Sequence, residues 1–486
     1  MMSTLSNAIP IFNPRTGERD GEIVPPSAAE ITQIAQDLRA GQVAWDALGL
    51  DGRIAAMRRW ADAIEANAAQ ISAAEMRDTG RKRVAHEVPF IVAGSIRGWC
   101  ARAPKVIERA HFQGTSTVMP AVSYRTQLVP YPLVGIISPW NHPFLLSMLD
   151  AVPALIAGCA LLVKPSEVTP RFIEPVTETI AKVPELAAVL RYIVGDGGTG
   201  QALIEEVDAL CFTGSVPTGR KVAEACARRF IPSFLELGGK DAVIVTGSAD
   251  IPQAAAAVLK GAVSNTGQMC FATERAYVAR EIYQPFVEEL THQASKVALS
   301  YPDMGQGHIG PYIHARQADI VDAQLEEAVE AGARIEVGGP SQTLGGGRFM
   351  PATVVTGVDH GMRIMRDETF GPVIPVMPYD DEDEAVALAN DSEFGLSGAV
   401  IAGDADEAER IAERLNAGAI SIQDTSLTLY IMGDVEKTSF GISGLGGSRM
   451  GPNAMLRFFR KKALIRRSGP VLDMESLAEH NVSSHH

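Results

Sequence analysis

Metal-ligand and disulfide patterns are missing from this sequence. Its five cysteines, Cys100, Cys159, Cys211, Cys226 and Cys270, are scattered through 486 residues with no C-x-x-C pair and no histidine-rich neighbour. That spacing opposes a zinc site and a disulfide framework and fits reduced thiols in a cytoplasmic protein, so no metal is expected. Positive charge is in deficit as well: 43 Lys and Arg against 58 Asp and Glu leave a formal charge of −15. A phosphate backbone needs clustered cations, so nucleic acid is excluded as the expected partner. Long apolar stretches are also lacking. The longest uncharged apolar run, residues 151–163, has 13 residues, contains Pro153 and Gly158, and is too short for a bilayer; it reads as buried core. Residues 1–10 lack the basic start and apolar core of a signal peptide, so neither export nor a membrane partner is expected. The closing His485-His486 carries no weight in this reading.

What remains is an ordinary globular composition, 46% apolar and 21% charged, in a chain long enough for two or three domains. Ile31, Ile34, Ala35 and Leu38 recur at helical spacing behind a cap at Ser27, and Ile54, Met57, Ala61 and Ile64 repeat the pattern. The rhythm then changes. Residues 133–137, 160–163, 192–194, 209–212 and 234–237 are short apolar strand runs. Helical stretches begin at Pro143, follow Pro170 and pass through Val222. Strands alternating with helices predict a parallel sheet covered on both faces. A second block, about 241–421, repeats the alternation with 243–245, a helix over 282–299, 398–401 and a helix from Asp406. The expected fold class is α/β, with two doubly wound parallel sheets. Residues 116–131, rich in β-branched and polar side chains, and 463–467 stand apart as isolated strand-like pieces.

The chemistry concentrates in two glycine-marked turns, Glu236-Leu-Gly-Gly-Lys240 and Asn265-Thr-Gly-Gln-Met-Cys270. A lone thiol is most often a packing residue, but a Gly-Gln loop ahead of it is odd for that role. A thiolate attacks carbonyl carbon readily, and a carboxylate whose pKa burial lifts can deprotonate water. Glu236 closes the first block and Cys270 belongs to the second, so the site is expected in the cleft between two domains. The segments holding Asn141, Lys164, Gly214 and Glu236 each follow a strand, where ligands of parallel sheets bind. Lys164 and Glu167 read either as a solvated pair or as a ribose contact whose carboxylate repels a 2′-phosphate. Gly195-Asp-Gly-Gly-Thr-Gly200 spells G-x-G-x-x-G after a strand; one such match is weak, and it reads as a tight turn.

Taken together, these segments resemble the aldehyde dehydrogenase superfamily, of the NAD(P)-dependent hydrolytic type, over nearly the whole chain. Phe12-Asn-Pro-Arg-Thr-Gly-Glu18, Pro139-Trp-Asn-His-Pro143, Lys164-Pro-Ser-Glu167, Phe212-Thr-Gly-Ser215, Gln317 and Glu368-Thr-Phe-Gly-Pro-Val373 follow the family's order, with the Glu236-to-Cys270 spacing kept. The resemblance implies Cys270 as nucleophile, Glu236 as base for thioester hydrolysis and Asn141 as oxyanion donor. It implies NAD, with NADP as the alternative, held by Trp140, Lys164, Ser166, Glu167, Gly197, Gly214, Ser215, Leu237, Gly238, Gln317, Glu368 and Phe370. A substrate tunnel is implied at His142, Leu145, Leu146, Leu149, Met269, Phe271, Lys437 and Phe440. The implied division is a Rossmann-like NAD-binding domain at 1–115 and 132–238 and a catalytic domain at 239–435. To these it adds a β oligomerisation flap at 116–131 and 455–470, a tunnel loop at 436–454 and a tail at 471–486.

The expected activity is NAD-dependent oxidation of an aromatic or medium-chain aliphatic aldehyde to its acid, in a homodimer or homotetramer. The alternatives are a semialdehyde dehydrogenase, a cofactor-independent esterase and a non-catalytic member. Three positions depart from the family pattern. Asp150 stands where a lysine is usual, and His142, expected as a wall residue, stands where an aromatic is usual. Glu436-Lys-Thr-Ser-Phe-Gly-Ile-Ser-Gly444 replaces the common tunnel loop, with Lys437 expected to be a solvated surface charge beside Glu436.

Overall fold

The computed structural model describes residues 8–471 and 474–479, so His485-His486, most of the 471–486 tail and the first seven residues lie outside the described residues. A hairpin, Ile9–Phe12 with Arg19–Ile23, opens the chain. Four helices follow: Ala28–Ala47, Gly49–Ala66, Ala68–Thr79 and Arg83–Ala110. Ser27 caps the first through a reciprocal bond with Glu30, as its position predicts. Apolar faces of these helices pack into the core of the first sheet, where Trp45 and Trp60 are fully buried. Each indole finds an acceptor, Leu155 O and Thr179 Oγ1 respectively, both at 2.9 Å, so burial leaves no orphan donor.

The first sheet runs in the spatial order Gly444–Leu445, Ser233–Glu236, Ala209–Thr213, Leu133–Ile137, Ala160–Lys164, Leu190–Tyr192. Its neighbours are parallel except at the edge, where Gly444–Leu445 pairs antiparallel with Glu236 and Leu235. Chain order reverses between Leu133–Ile137 and Ala209–Thr213, and a crevice opens at the carboxyl ends of two strands that diverge this way. The second sheet has seven strands around Asp241–Val245, with Thr273–Ala279 on one side and Gly398–Ile401 on the other. All its pairs are parallel except Arg334–Val337 with Thr353–Thr356. The expected α/β class with two doubly wound parallel sheets is therefore the fold.

Several sequence readings change in detail. Residues 463–467 are not isolated: the strand Phe459–Arg467 pairs along its whole length with Val122–Pro130, and Gln113–Thr115, before the expected start at 116, completes a three-stranded sheet. Residues 455 and 458, expected in the flap, are fully buried against the first sheet instead. The strand expected at 192–194 is Leu190–Tyr192, and the helix expected at 282–299 is Arg280–Ala294. Gly195 to Gly200 is more than a tight turn: Asp196 caps the helix Gly197–Glu206 by accepting from the N–H groups of Gly198 and Thr199. The segment 436–454 supplies both the antiparallel edge strand and Arg449.

Asp150 lies in the helix Pro143–Ala157 with no exposed surface and is bound by two guanidiniums, Arg449 and Arg457. Burial pushes its carboxyl up, yet the two arginines outweigh that and hold it below the usual carboxylate range. Arg449 also donates to Phe212 O at 2.9 Å and Thr213 Oγ1 at 2.8 Å, tying the 436–454 segment to the strand end. Removing one partner of such a group strands buried charge, so Asp150→Ala should destabilise by about 3–5 kcal/mol. Arg83→Ala, at an exposed i,i+4 pair with Glu87, should cost at most about 0.5 kcal/mol. Urea midpoints of the two variants compare them directly; an unchanged midpoint in Asp150→Ala would remove the cluster from any account of stability.

Candidate active site

Sequence-distant turns meet because the two sheets face each other end to end. Strand Ser233–Glu236 delivers Glu236 at its carboxyl end, and strand Asp241–Val245 begins after only four intervening residues. Cys270 lies just before the amino end of the neighbouring strand Thr273–Ala279. The nucleophile loop has an unusual backbone: Asn265, Thr266 and Gly267 have φ of 58°, 59° and 70°. Only glycine adopts that region freely, and a Cβ on Gly267 would stand 2.2 Å from the Gly371 backbone. Gln268 holds the loop through Ile313 N–H, which donates to its Oε1 at 2.9 Å.

A cavity of about 260 Å³ joins these ends. Of the expected site residues, Trp140, Asn141, Leu146, Gly214, Ser215, Leu237, Gly238, Cys270, Gln317, Glu368 and Phe370 line it. Asn141 is buried; its Nδ2 donates to Gln268 O at 3.0 Å, while its carbonyl accepts from Arg81 at 2.9 Å. Trp140 packs edge-on against Phe370 and His314, at centroid distances of 5.4 and 6.1 Å. Gln317 Nε2 donates to Thr369 O at 2.8 Å. Burial, then the Glu274 carboxylate, push Glu368 up to about 8, and Gly239 N–H donates to it at 3.3 Å.

Lys164, Ser166, Glu167 and Gly197 lie away from that cavity. Lys164 Nζ donates to Gly195 O at 2.6 Å and Pro165 O at 3.0 Å and stands 3.6 Å from Glu167. Ser166 Oγ accepts from Val168 N–H at 3.2 Å, and Gly197 has open space where a Cβ would be. At the Gly214–Ser215 turn the helix Val216–Arg229 begins without a side-chain cap: Ser215 Oγ donates to Thr218 Oγ1 and leaves the N–H groups of Val216 and Thr218 uncapped, Pro217 between them having none.

The expected tunnel wall is redistributed. Leu146 lines the cavity, whereas Leu145 packs against the first sheet's core, so the three leucines do not form one wall. Leu149 is half-buried, Met269 is buried and Phe271 half-buried on either side of the nucleophile. Phe440 is 41% exposed and pairs through its backbone with Gly395, away from the cavity. His142 is held by Asn265 Nδ2 at 3.2 Å; burial, then the nearby Arg81 charge, lower it to about 3, so it is neutral in ordinary buffers.

Lys437 reverses its expectation. It is 7% exposed, and its ammonium lies 3.7 Å from Glu236 Oε2 and donates to Ser439 Oγ at 3.3 Å. Ser439 donates to the same Glu236 oxygen at 2.8 Å. The lysine is drawn inward because its segment pairs with the Glu236 strand, which puts the half-buried Glu236 carboxylate within reach. Ser439, Arg81 and Asp241 were not read as site residues. Lys240 and Glu274 were missed too: their buried ion pair at 2.9 Å holds the N–H groups of Thr369 and Phe370 through the glutamate, both at 2.8 Å. A lysine directly following two glycines at the end of the Glu236 motif was the available signal.

The geometry has a counterpart in known proteins. The family model described as "Aldehyde dehydrogenase family" matches residues 1–464. The chain superposes with a TM-score of 0.93 on a structure from Anabaena variabilis provisionally named aldehyde dehydrogenase PutA, at 47% identity, covering 96% of this chain and 99% of that one. It is 38% identical over 345 residues to a 4,4'-diapolycopene aldehyde oxidase of Methylomonas sp; that alignment takes in 70% of this chain and 64% of the relative. A protein of Mycolicibacterium smegmatis provisionally named succinate-semialdehyde dehydrogenase [NADP(+)] is 33% identical over 92% of this chain and 87% of its own length. The chain belongs to the aldehyde dehydrogenase family.

Proposed function

We propose that this family member is an NAD-dependent aldehyde dehydrogenase that oxidises an uncharged aromatic or medium-chain aliphatic aldehyde to its acid through Cys270. The observation that carries the reading is the single cavity shared by Cys270, Asn141 and the uncapped helix start at Ser215. Free N–H groups at a helix start suit a pyrophosphate, and the cavity leading from them to Cys270 suits the nicotinamide end of a dinucleotide. Bound there, NAD would supply the hydride acceptor for oxidation at the carbon attached to the Cys270 sulfur.

The chain's own residues do the rest. The Cys270 thiolate adds to the aldehyde carbon, and the oxyanion that forms lies between the Cys270 backbone N–H and the Asn141 amide, which stabilise charge as it develops. Loss of hydride leaves a thioester on Cys270. Glu236 then takes a proton from water, whose oxygen attacks the thioester; the acid departs and the thiolate is restored. No lysine or arginine lines the cavity among the described residues, and Lys437 is already paired with Glu236, which supports an uncharged aldehyde over a semialdehyde. The 239–435 part acts as the catalytic domain and 1–115 with 132–238 as the cofactor domain. Exposed Tyr124 and Ile465 on the three-stranded sheet support its use as the surface that makes a dimer or tetramer. The protein acts in the cytoplasm, where the five free thiols stay reduced.

Cys270→Ala should abolish NADH formation and leave NAD binding near normal, since the helix start and the Trp140–Phe370 contact are untouched. Glu236→Gln should give a burst of NADH and then turnover slowed by roughly a hundredfold, the usual scale of lost general-base catalysis. Stopped-flow absorbance reads both; full steady-state activity in Cys270→Ala overturns the assignment, and NAD-independent ester hydrolysis as the main activity favours the esterase reading.

Cofactor choice tests Glu167. NAD should give the higher kcat/KM, and Glu167→Gln should narrow the gap to NADP by roughly tenfold, the loss of one repulsive charge at partial exposure. Because Lys164 lies 3.6 Å from Glu167 and offsets part of its charge, the wild-type preference should be moderate rather than absolute. A wild-type preference for NADP would take Glu167 off the ribose.

A further inference from the structure

A nucleophilic thiol needs help at this site. Burial, then the Glu236 carboxylate, push the Cys270 thiol up to about 12, with Asp241 and Glu368 adding to the effect and Lys437 alone opposing it. Of the four charged groups acting on Cys270, Glu236, Asp241 and Glu368 are acidic and Lys437 is the cation. Asp241, at the start of the second sheet, is itself pushed up to about 7, first by burial, and is likewise relieved by Lys437. The ammonium thus stands among Glu236 from the first sheet, Asp241 from the second and Cys270 from the nucleophile loop, with Ser439 on its own segment.

The geometry makes this a connected unit. Lys437 Nζ donates to Ser439 Oγ, whose hydroxyl donates to Glu236 Oε2, and the ammonium is also 3.7 Å from that oxygen. The arrangement is fixed from both sides: Gly444 pairs through its backbone with Glu236, and Lys437 N–H donates to the Ser448 side-chain Oγ at 3.1 Å. On the opposite flank, Asp150 is committed to Arg449 and Arg457, guanidiniums that do not release a proton in the working range. Lys437 and Ser439 are therefore the polar side chains in contact with the Glu236 carboxylate.

We propose that Lys437 is a positioning residue for the reaction: through Ser439 and directly, its ammonium holds the Glu236 carboxylate in place, and its charge favours the Cys270 thiolate. This role rests on the assignment of Cys270 and Glu236 made above. It also departs from a substrate-binding role for the same lysine, because an ammonium already shared by Glu236 and Ser439 lies off the cavity lining. No bond to Lys437 forms or breaks. It lowers the free energy of two anions that the acylation and deacylation steps require, and proton loss from Cys270 goes to solvent before the aldehyde binds.

The test measures iodoacetamide alkylation of the Cys270 peptide by mass spectrometry against pH, with Cys270→Ala as the blank, in wild type, Lys437→Met, Lys437→Gln and Lys437→Arg. Loss of the charge should move the curve up by about one pH unit, a roughly tenfold slower reaction below the midpoint. The acid limb of steady-state kcat should move in the same direction, because the Cys270 thiolate that acylation requires is then less favoured. Lys437→Arg should restore both to within about threefold, which a packing role would not produce. Superimposable alkylation curves for wild type, Lys437→Met and Lys437→Gln overturn the proposal. So does a Lys437→Met variant that loses only turnover of succinic semialdehyde with its alkylation curve unchanged. If Lys437→Met does not fold, Lys437→Gln and Ser439→Ala carry the comparison, and an unshifted kcat limb in both has the same force. If wild type makes no NADH from any aldehyde while the Lys437→Met and Lys437→Gln alkylation curves are shifted from its own, the dehydrogenase reading fails and the charge relation stands.

Discussion

Between Glu236, the last residue of one parallel sheet, and Asp241, the first of the other, the chain has four residues. Five Cα steps span at most about 18 Å, so the carboxyl end of the first sheet cannot move far from the amino ends of the second. That tether makes a site out of two halves. It also explains the glycines: a Cβ on Gly238 would stand 2.5 Å from the Glu368 carboxylate and one on Gly239 2.5 Å from Cys270 O. The cofactor-side and nucleophile loops both close directly onto the tether. Lys240 then fastens it, through Glu274, to the backbone of Thr369 and Phe370.

Closing the halves this tightly buries acid. Glu368 and Asp241 are pushed up to about 8 and about 7, in each case first by loss of solvent. Glu75, which holds Phe144 N–H at 2.9 Å at the start of the helix behind Asn141, is pushed up to about 7 for the same reason. Among these groups the cations are few and each is engaged: Lys240 with Glu274, Arg81 with the Asn141 carbonyl, Lys437 with Glu236 and Ser439. The reactivity of Cys270 is then a matter of charge balance in a confined, partly desolvated space, where one ammonium has a large effect. Asp150 belongs to a separate balance, satisfied by two arginines and closed to proton traffic.

How much of this was readable in advance follows from the kind of signal each part leaves. The strands of both sheets are buried on two faces and so appear as short continuous apolar runs, which is why 133–137 and 398–401 were placed to the residue. The helix Arg83–Ala110 was missed, since Pro89 and Pro104 interrupt its pattern and read as breakers. Cys270 and Glu236 lie in turns whose glycines mark them and Asn141 in one bounded by prolines; Cys270 and Asn141 line one cavity, whose lining does not include Glu236. Lys437 left no such mark. Its burial depends on a segment that becomes an edge strand only when folded against Glu236, and a lysine in a polar loop reads as solvated until its partner is known. Leu145 and Phe440 failed for a related reason: helical spacing places a residue on a face but does not say which neighbour that face meets.

The central claim is that Cys270 carries the substrate's acyl group between oxidation and hydrolysis. Intact-protein and peptide mass spectrometry of Glu236→Gln, acid-quenched during turnover of an aldehyde with NAD, reads this directly. The account predicts an adduct of acyl mass on the peptide containing Cys270, lost on hydroxylamine treatment and absent without NAD. Release of NADH with no adduct on that peptide, or with the adduct on another cysteine, would contradict it.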